Sequence, residues 1–236
     1  MVLNPSDQPI GEPVDTRPAR RPERIILSGR AVTLVPLSAD AHADALFEEA
    51  NGGDKDRVWT YLFDGPYPDP QVFKASLAAK AQSEDPLFFA IIDNASGEAV
   101  GYQTFLRIEP AHRVIEVGNI LYTPAMQRTI GATEAQYLFA AHVFDGLGYR
   151  RYEWKCNDLN APSKRAALRY GFTFEGVFRQ HMIVKGRNRD TAWFSMLDSE
   201  WPRRREAFER WLDPGNFDTA GRQKVSLMSL NTEDSK

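Results

Sequence analysis

The sequence predicts an α+β domain with a mixed central sheet, and three observations carry that prediction. Apolar, β-branched and aromatic runs follow one another over residues 87–93, 100–108 and 114–122, which reads as an antiparallel meander. From Thr129 the apolar spacing becomes helical, at Ala135, Leu138, Phe139, His142 and Val143. Strand alternation then returns at Tyr152, Trp154 and Cys156. A helix therefore crosses between the strands at Ile120 and Trp154, and a crossover of that kind makes them parallel.

The elements follow in order. Residues 25–37 read as a strand pair or one bent strand, turned at Ser28-Gly29. Ser38 caps a helix that runs to about Ala50 and stops at Gly52-Gly53. After an aromatic segment, residues 59–67, Asp69 caps a second helix with Pro70 at its first position. Asn94-Ala95-Ser96-Gly97 supplies the turn between the first two meander strands. Gly146 and Gly148 end the crossover helix. Tyr152, Trp154 and Cys156 alternate with Arg151, Glu153 and Lys155, the pattern of a half-buried strand. Asn160 caps a short helix closed by Gly171, and strands over 172–179 and 191–197 precede a charged helix over 198–212.

The ends differ from this middle. Residues 1–24 carry Pro5, Pro9, Pro13, Pro18 and Pro22, a basic stretch and few apolar side chains, too little to offset the entropy of ordering. They read as a mobile tail or as a strap over a domain that spans 25–215. Residues 216–236 read as a second mobile tail.

Composition narrows the function. The 236 residues carry a net charge of −3, so neither nucleic acid nor an anionic membrane is the expected partner. No stretch approaches the roughly 20 apolar residues that span a bilayer. The N-terminus has no apolar leader core. Cys156 is the single cysteine and has no partner for an intramolecular disulfide, which fits a reducing compartment. The reading is a cytoplasmic protein.

The chemistry-bearing region is 117–176. The strand end Ile120-Leu121-Tyr122 leads through a turn into a helix that begins near Thr129. Such a junction presents unpaired N–H groups and the positive end of a helix dipole, a ready site for phosphate. Gln127, Arg128, Thr129, Ile130, Gly131, Ala132 and Thr133 line it, with Gly131 and Ala132 removing side-chain bulk and Arg128 offering charge. The plain alternative is a β–α turn whose glycine serves packing alone. Asn160-Ala161-Pro162-Ser163 begins the next helix; Asn160 either caps it and nothing more, or also hydrogen-bonds a peptide-like ligand arm lying between the two helices.

Taken together, the loop 127–135 and the later Asn160-x-x-Ser163 with Gly171-Phe172 resemble the acyl-CoA-binding core of GNAT acetyltransferases. The phrases 31–37, 59–63 and 186–190 resemble the RimJ/RimL branch of that superfamily, so the likeness spans about residues 25–202. The resemblance implies a GNAT-type acetyltransferase fold: about seven strands, two parallel ones splayed apart, flanked by helices. It implies acetyl-CoA as co-substrate, no metal, and a primary amine as acceptor, on a small molecule or a protein N-terminus. A monomer or homodimer fits this. Two departures stand out: Ile130 occupies a position where the family usually has glycine, and Ala167 stands where many members carry a proton-donating tyrosine.

By that resemblance the amine attacks the thioester directly, with the carbonyl polarised by main-chain N–H near Leu121. Ser163 takes the proton-donor role, or only sits in the first turn of its helix. Glu116 and His181 are the candidate bases, although a strand glutamate can equally be an ion-paired face residue. Trp59, Tyr61 and Phe63 face Asn119, Tyr122 and His181 around the acceptor, as a pocket or as a plain hydrophobic lid; Arg187, Asn188 and Arg189 form a basic turn able to meet an acidic acceptor, or a solvated hairpin. Two other readings remain open: a non-catalytic acyl-CoA-binding sensor or partner-binding module, for which Ala167 argues, and an α+β domain with no CoA site, for which Ile130 argues.

Overall fold

A computed structural model describes residues 2, 3 and 5–232. An eight-stranded sheet runs β3 (Leu27–Ser28), β4 (Val32–Pro36), β5 (Leu87–Asp93), β6 (Ala99–Glu109), β7 (Val114–Tyr122), β8 (Arg151–Asn157), β10 (Arg187–Leu197) and β9 (Thr173–Val184). All neighbours are antiparallel except β7 and β8, which are parallel as the crossover requires. A separate short pair, β1 (Val2–Leu3) and β2 (Pro9–Ile10), lies near the N-terminus.

Helices cover both faces. Helices α1 (Ala39–Ala50) and α2 (Pro70–Gln82) pack on one side over Leu46, Phe73, Leu77, Tyr102 and Leu121. Helix α3 (Ile130–Ala141) and α5 (Trp201–Leu212) form the other side, where Phe139 stacks on Phe105 at 3.9 Å. Helix α3 lies between β4 and α5, so Gly131 through Gln136 are all buried. Caps sit where local chemistry demands: Asp69 Oδ1 accepts from Gln71 N at 2.7 Å and Val72 N at 3.1 Å. Helix α4 (Ala161–Arg169) begins at Asn160 and ends before Gly171, whose φ of +90° lies in the left-handed region.

The feature that positions the site is the end of the β7–β8 pairing. The two strands pair from Val114–Arg151 to Val117–Trp154 and no further. Beyond that point they part, β7 running on to Tyr122 against β6 and β8 to Asn157 against β10. At that point β7 bulges against β6: the register passes from Gly118–Thr104 to Leu121–Tyr102, so Asn119 and Ile120 oppose Gln103. Asn119 takes φ +47°, a conformation asparagine tolerates better than most residues.

Several sequence expectations need correction. The sheet has eight strands, not about seven. Strands β9 and β10 extend past residues 172–179 and 191–197, so the expected basic turn at Arg187-Asn188-Arg189 lies within β10. The crossover helix runs through Gly146, widening into a π-helical turn over His142–Leu147, and ends at the other expected glycine, Gly148, with φ +78°. The helix expected from Asp198 starts at Trp201, after a turn in which Trp201 N donates to Asp198 O. Residues 216–236 depart from a polar tail over their described part: α6 (Leu227–Thr232) buries Leu227 and Leu230 in the main core. Near the other end, Ala19 N donates to Pro110 O, Arg20 N donates to Leu147 O, and Pro22 is buried, the strap alternative for that stretch. Met1, Asn4 and 233–236 of the two expected tails lie outside the described residues.

One contact ties the N-terminal hairpin to α3. The Glu134 carboxylate accepts from the N–H groups of Arg30, Ala31 and Val32 at 2.9, 2.6 and 2.9 Å. Removing it strands those donors, and an unmet buried donor costs more than a made bond gains. Glu134→Ala is expected to lower unfolding stability by about 3 kcal/mol in urea titration, several-fold more than a surface glutamate substitution.

Candidate active site

The turn from β7 into α3 is held by its own atoms. Thr123 donates from N and Oγ1 to Val100 O, Met126 N and Gln127 N both donate to Thr123 O, and Gln127 Nε2 donates to Tyr122 O at 2.9 Å. Arg128 turns the chain at φ +65°. Thr129 caps α3, its Oγ1 accepting from Ala132 N at 3.1 Å and donating to Met126 O at 2.8 Å. No acceptor among the described residues meets the N–H groups of Arg128, Ile130 and Gly131. They open at the positive end of a twelve-residue helix, beside the exposed side chains of Gln127, Arg128 and Thr129. Donors of this kind at the positive end of a helix suit an anion.

Three loop expectations change in detail. A Cβ on Gly131 would meet Val32 Cγ1 at 2.7 Å, so the glycine admits the sheet and not a ligand. Ala132 and Thr133 point inward: Thr133 Oγ1 accepts from Arg169 at 3.0 Å, and the Ala132 carbonyl lies 3.4 Å from the Tyr170 hydroxyl. The Ile130 side chain packs against the core. The edge of Ile120, Leu121 and Tyr122 borders the gap, while the Leu121 and Tyr122 side chains turn away from it. Leu121 enters the α1–α2 core. Tyr122 OH donates to Gln103 at 2.7 Å and accepts from Gln136 at 2.8 Å, on the α3 side. Tyr122 is therefore not an acceptor-pocket residue, and burial pushes its phenol well above the usual range.

Across the gap, Asn160 Oδ1 accepts from Ser163 N at 3.2 Å, and Ser163 Oγ accepts from the Trp154 indole at 3.0 Å. The hydroxyl proton of Ser163 is left to point elsewhere. Cys156 neighbours it, its thiol pushed up by burial. Ala167 is fully buried, so the position where a tyrosine was looked for is part of the core.

The opposite face of the same strands carries charge. Trp154 and Lys155 are consecutive on β8 and so point to opposite faces. Lys155 Nζ bridges Glu116 Oε2 at 2.8 Å and Glu153 Oε2 at 2.7 Å, and lies 3.8 Å from the Trp193 ring centre. Arg107 adds a contact to Glu116 at 3.3 Å, while Arg151 holds Glu153 at 2.6 Å and forks onto Glu175. Glu153 and Lys155, expected on the solvated side of a half-buried strand, are buried in this ladder. Burial raises the Glu116 carboxyl against the pull of Lys155 and Arg107. Glu116 is therefore held in ion pairs, and stands on the opposite side of β8 from Ser163.

His181 joins the charged face through a bulge of β9 against β10, with Nδ1 3.0 Å from Thr191 Oγ1. Burial lowers its pKa, and the charges of Arg107, Arg189 and Lys155 lower it further. Tyr61 and Phe63 reach this region: Tyr61 OH donates to Leu159 O at 3.2 Å, and Phe63 lies 5.0 Å from the Arg189 guanidinium. Asn119 sits at the gap, in the β7 bulge. Trp59 does not line a pocket. It is fully buried, donates to Ala50 O at 2.7 Å and packs edge-on to Tyr67 and Phe73. Sequence reading passed over Arg107, Lys155 and Trp193; opposite charges at Glu116 and Lys155 on neighbouring strands were the available signal. Among the described residues no group of three or more His, Cys, Asp or Glu could hold a metal ion, and no helix is long and apolar enough to cross a membrane.

Comparison with known proteins now has a geometry to meet. A family model described as an acetyltransferase (GNAT) domain matches residues 31–173. A GCN5-related N-acetyltransferase from Brucella melitensis is 53% identical over 91% of this chain and 97% of its own, with a TM-score of 0.89. A probable acetyltransferase of the GNAT family from Chromobacterium violaceum ATCC 12472 is 41% identical over 83% and 99% of the two chains, with a TM-score of 0.75. The microcin C7 self-immunity acetyltransferase MccE, solved with acetyl-CoA and AMP, shares the fold at 21% identity and a TM-score of 0.62, over 72% of this chain and 93% of its own. No curated protein matches the chain.

Two outcomes test the charged face. Lys155→Met takes from two buried carboxylates the cation they share, leaving Glu116 only Arg107 and Glu153 only Arg151, and is expected to cost about 3 kcal/mol at pH 7 in urea unfolding. The folded Glu116 pKa lies above its unfolded value of 4.5, so the folded state binds the extra proton and stability falls as pH rises through that interval. The deficit of the variant should therefore shrink on acidification toward pH 5. For His181, an imidazole NMR titration should show a midpoint below the ordinary 6.5.

Proposed function

The chain belongs to the GNAT acetyltransferase family, and on that premise we propose that it moves the acetyl group of acetyl-CoA to a primary amine by direct attack. The amine belongs to a small molecule or a protein N-terminus. The observation that carries this reading is the opened β7–β8 pair, flanked by the free N–H groups at the start of α3. The motif Asn160-x-x-Ser163 and the segments 31–37, 59–63 and 186–190 support placement in the RimJ/RimL-like branch. The single cysteine and the net charge of −3 support a cytoplasmic protein that works without nucleic acid or an anionic membrane, as a monomer or homodimer.

Acetyl-CoA supplies the activated thioester. The N–H groups of Arg128, Ile130 and Gly131 receive its diphosphate, with Gln127, Arg128 and Thr129 beside them. Asn160 and the free edge of Ile120–Tyr122 hydrogen-bond the amide arm, and an N–H of that edge polarises the carbonyl. Tyr61, Phe63 and Asn119 border the acceptor. As the amine nitrogen bonds to the acyl carbon, the C–S bond breaks; Ser163, whose oxygen already accepts from Trp154, gives its proton to the departing sulfur and recovers one from water. His181 takes the amine proton: it is held neutral near pH 7, whereas Glu116 is occupied by Lys155 and Arg107 and serves by fixing charge around the imidazole.

A specific observation favours a second reading. The tyrosine site at Ala167 is closed into the core and Glu116 is locked in ion pairs, as suits a CoA-binding module without turnover. Thiol release from acetyl-CoA over an amine panel separates the two. Millimolar CoA should raise the melting temperature, since it binds only the folded state. Ser163→Ala should lower kcat by about 100-fold or more while CoA affinity holds within about threefold. CoA binding with no turnover on any amine hands the case to the binding module, and no thermal response to CoA removes both.

A further inference from the structure

Arg189 stands apart from the other buried cations. Its side chain lies on β10 with only 7% exposure, and its Nε is buried without a hydrogen-bond partner among the described residues. Lys155 answers two carboxylates, and Arg169 and Arg204 donate to Thr133 and to the Asn231 carbonyl. No salt bridge among the described residues reaches Arg189. The adjacent Asp190 cannot supply one, since its Oδ1 already accepts from Gln180 N at 2.7 Å and Asn188 Nδ2 at 2.9 Å. Glu116 is likewise occupied by Lys155 and Arg107. The Glu116 charge reaches Arg189 only at a distance and is shared with Lys155 and Arg107, so the guanidinium is desolvated without a carboxylate in contact, which is costly unless something from outside completes it.

Its surroundings say what would complete it. The Phe63 ring lies 5.0 Å from the guanidinium, and Phe63 is itself 49% exposed, so it can shift to admit a ligand. Ring contact leaves the guanidinium edge, where the N–H donors lie, for a planar oxyanion. On the same strand face, Thr191 holds His181 at 3.0 Å, and the indole N–H of Trp193 is also buried without a partner. One residue, Asp190, lies between Arg189 and Thr191, so their Cα atoms stand about 6–7 Å apart on one face of the strand.

We propose that the acceptor is an amine that also carries an oxyanion, a carboxylate or phosphate, and that Arg189 binds this group while His181 faces the amine. The proposal rests on the acetyl-transfer reading for its amine end only; the oxyanion site stands on Arg189 itself. A simple alkylamine or arylamine would leave the guanidinium unpaired in the loaded site.

Benzylamine and 4-(aminomethyl)benzoate make a matched pair that differs in the carboxylate alone. The wild-type protein is expected to favour the carboxylate-bearing amine in kcat/KM by about 10- to 100-fold, the range of a charge-assisted hydrogen bond. Arg189→Met should bring that ratio toward one, mainly through KM, and Arg189→Lys should keep part of it. Replacing the carboxylate with a phosphonate distinguishes which oxyanion the site prefers. Calorimetry with 4-methylbenzoate, which has no amine, reads the oxyanion site without turnover: wild type in the presence of CoA should bind it, and Arg189→Met should not. If no amine is acetylated yet 4-methylbenzoate binds through Arg189, the oxyanion site stands and acetyl transfer falls. If both amines are acetylated equally well and 4-methylbenzoate does not bind, transfer stands and this proposal is overturned. Should Arg189→Met fail to fold, a wild-type ratio near one with no 4-methylbenzoate binding is enough to overturn it.

Discussion

A parallel strand pair normally closes along its whole length, because every unpaired N–H or carbonyl in a sheet interior loses its water without gaining a partner. Here β7 and β8 stop pairing after Val117 and Trp154, and the cost is contained by geometry. The bulge at Asn119 twists the end of β7 while β6 still holds it, and α3 and α4 begin beside the two loose ends. The opening is thus bordered by exposed strand edge and by two helix starts. Backbone of that kind suits a ligand rich in amides and phosphate, so the arrangement and its ligand chemistry follow from one constraint.

A sheet interrupted in the middle needs another means of staying in register. The charge ladder from Arg107 through Glu116, Lys155, Glu153 and Arg151 to Glu175 crosses β6, β7, β8 and β9 on one face, with signs alternating at each step. Buried ion pairs contribute little net stability compared with apolar packing, but they penalise any slip that separates them. Lys155 sits just past the last paired residue of β8, next to where the strands part. The same charges act on His181, so the groups that hold the halves together also set the protonation of the proposed base.

Much of this was legible in the residues. Ser38, Asp69 and Asn160 were readable as caps because capping is decided within three residues. The meander and crossover were readable because hydrophobic period reports them directly. What escaped was decided at long range. Alternation assigned Glu153 and Lys155 to water, since nothing local announces that Glu116 and Trp193 will cover them. Gly131 looked like ligand clearance, and only the approach of Val32 reveals its packing role. Leu227 and Leu230 lay in a polar stretch too sparse to signal a docked helix. Trp59 shared an aromatic segment with Tyr61 and Phe63, and spacing alone could not tell the anchor from the wall.

That aromatic segment divides its labour sharply. Trp59 is clamped from both sides, its indole to Ala50 O and its carbonyl accepting from Lys185 at the tip of the β9–β10 hairpin. Two and four residues on, Tyr61 reaches the loop before α4 and Phe63 leans toward Arg189. A fixed hinge pin thus carries interchangeable tips. Exchanging Tyr61 or Phe63 would leave untouched the bolt that keeps the hairpin against the body of the protein, because neither side chain takes part in the Trp59 clamp.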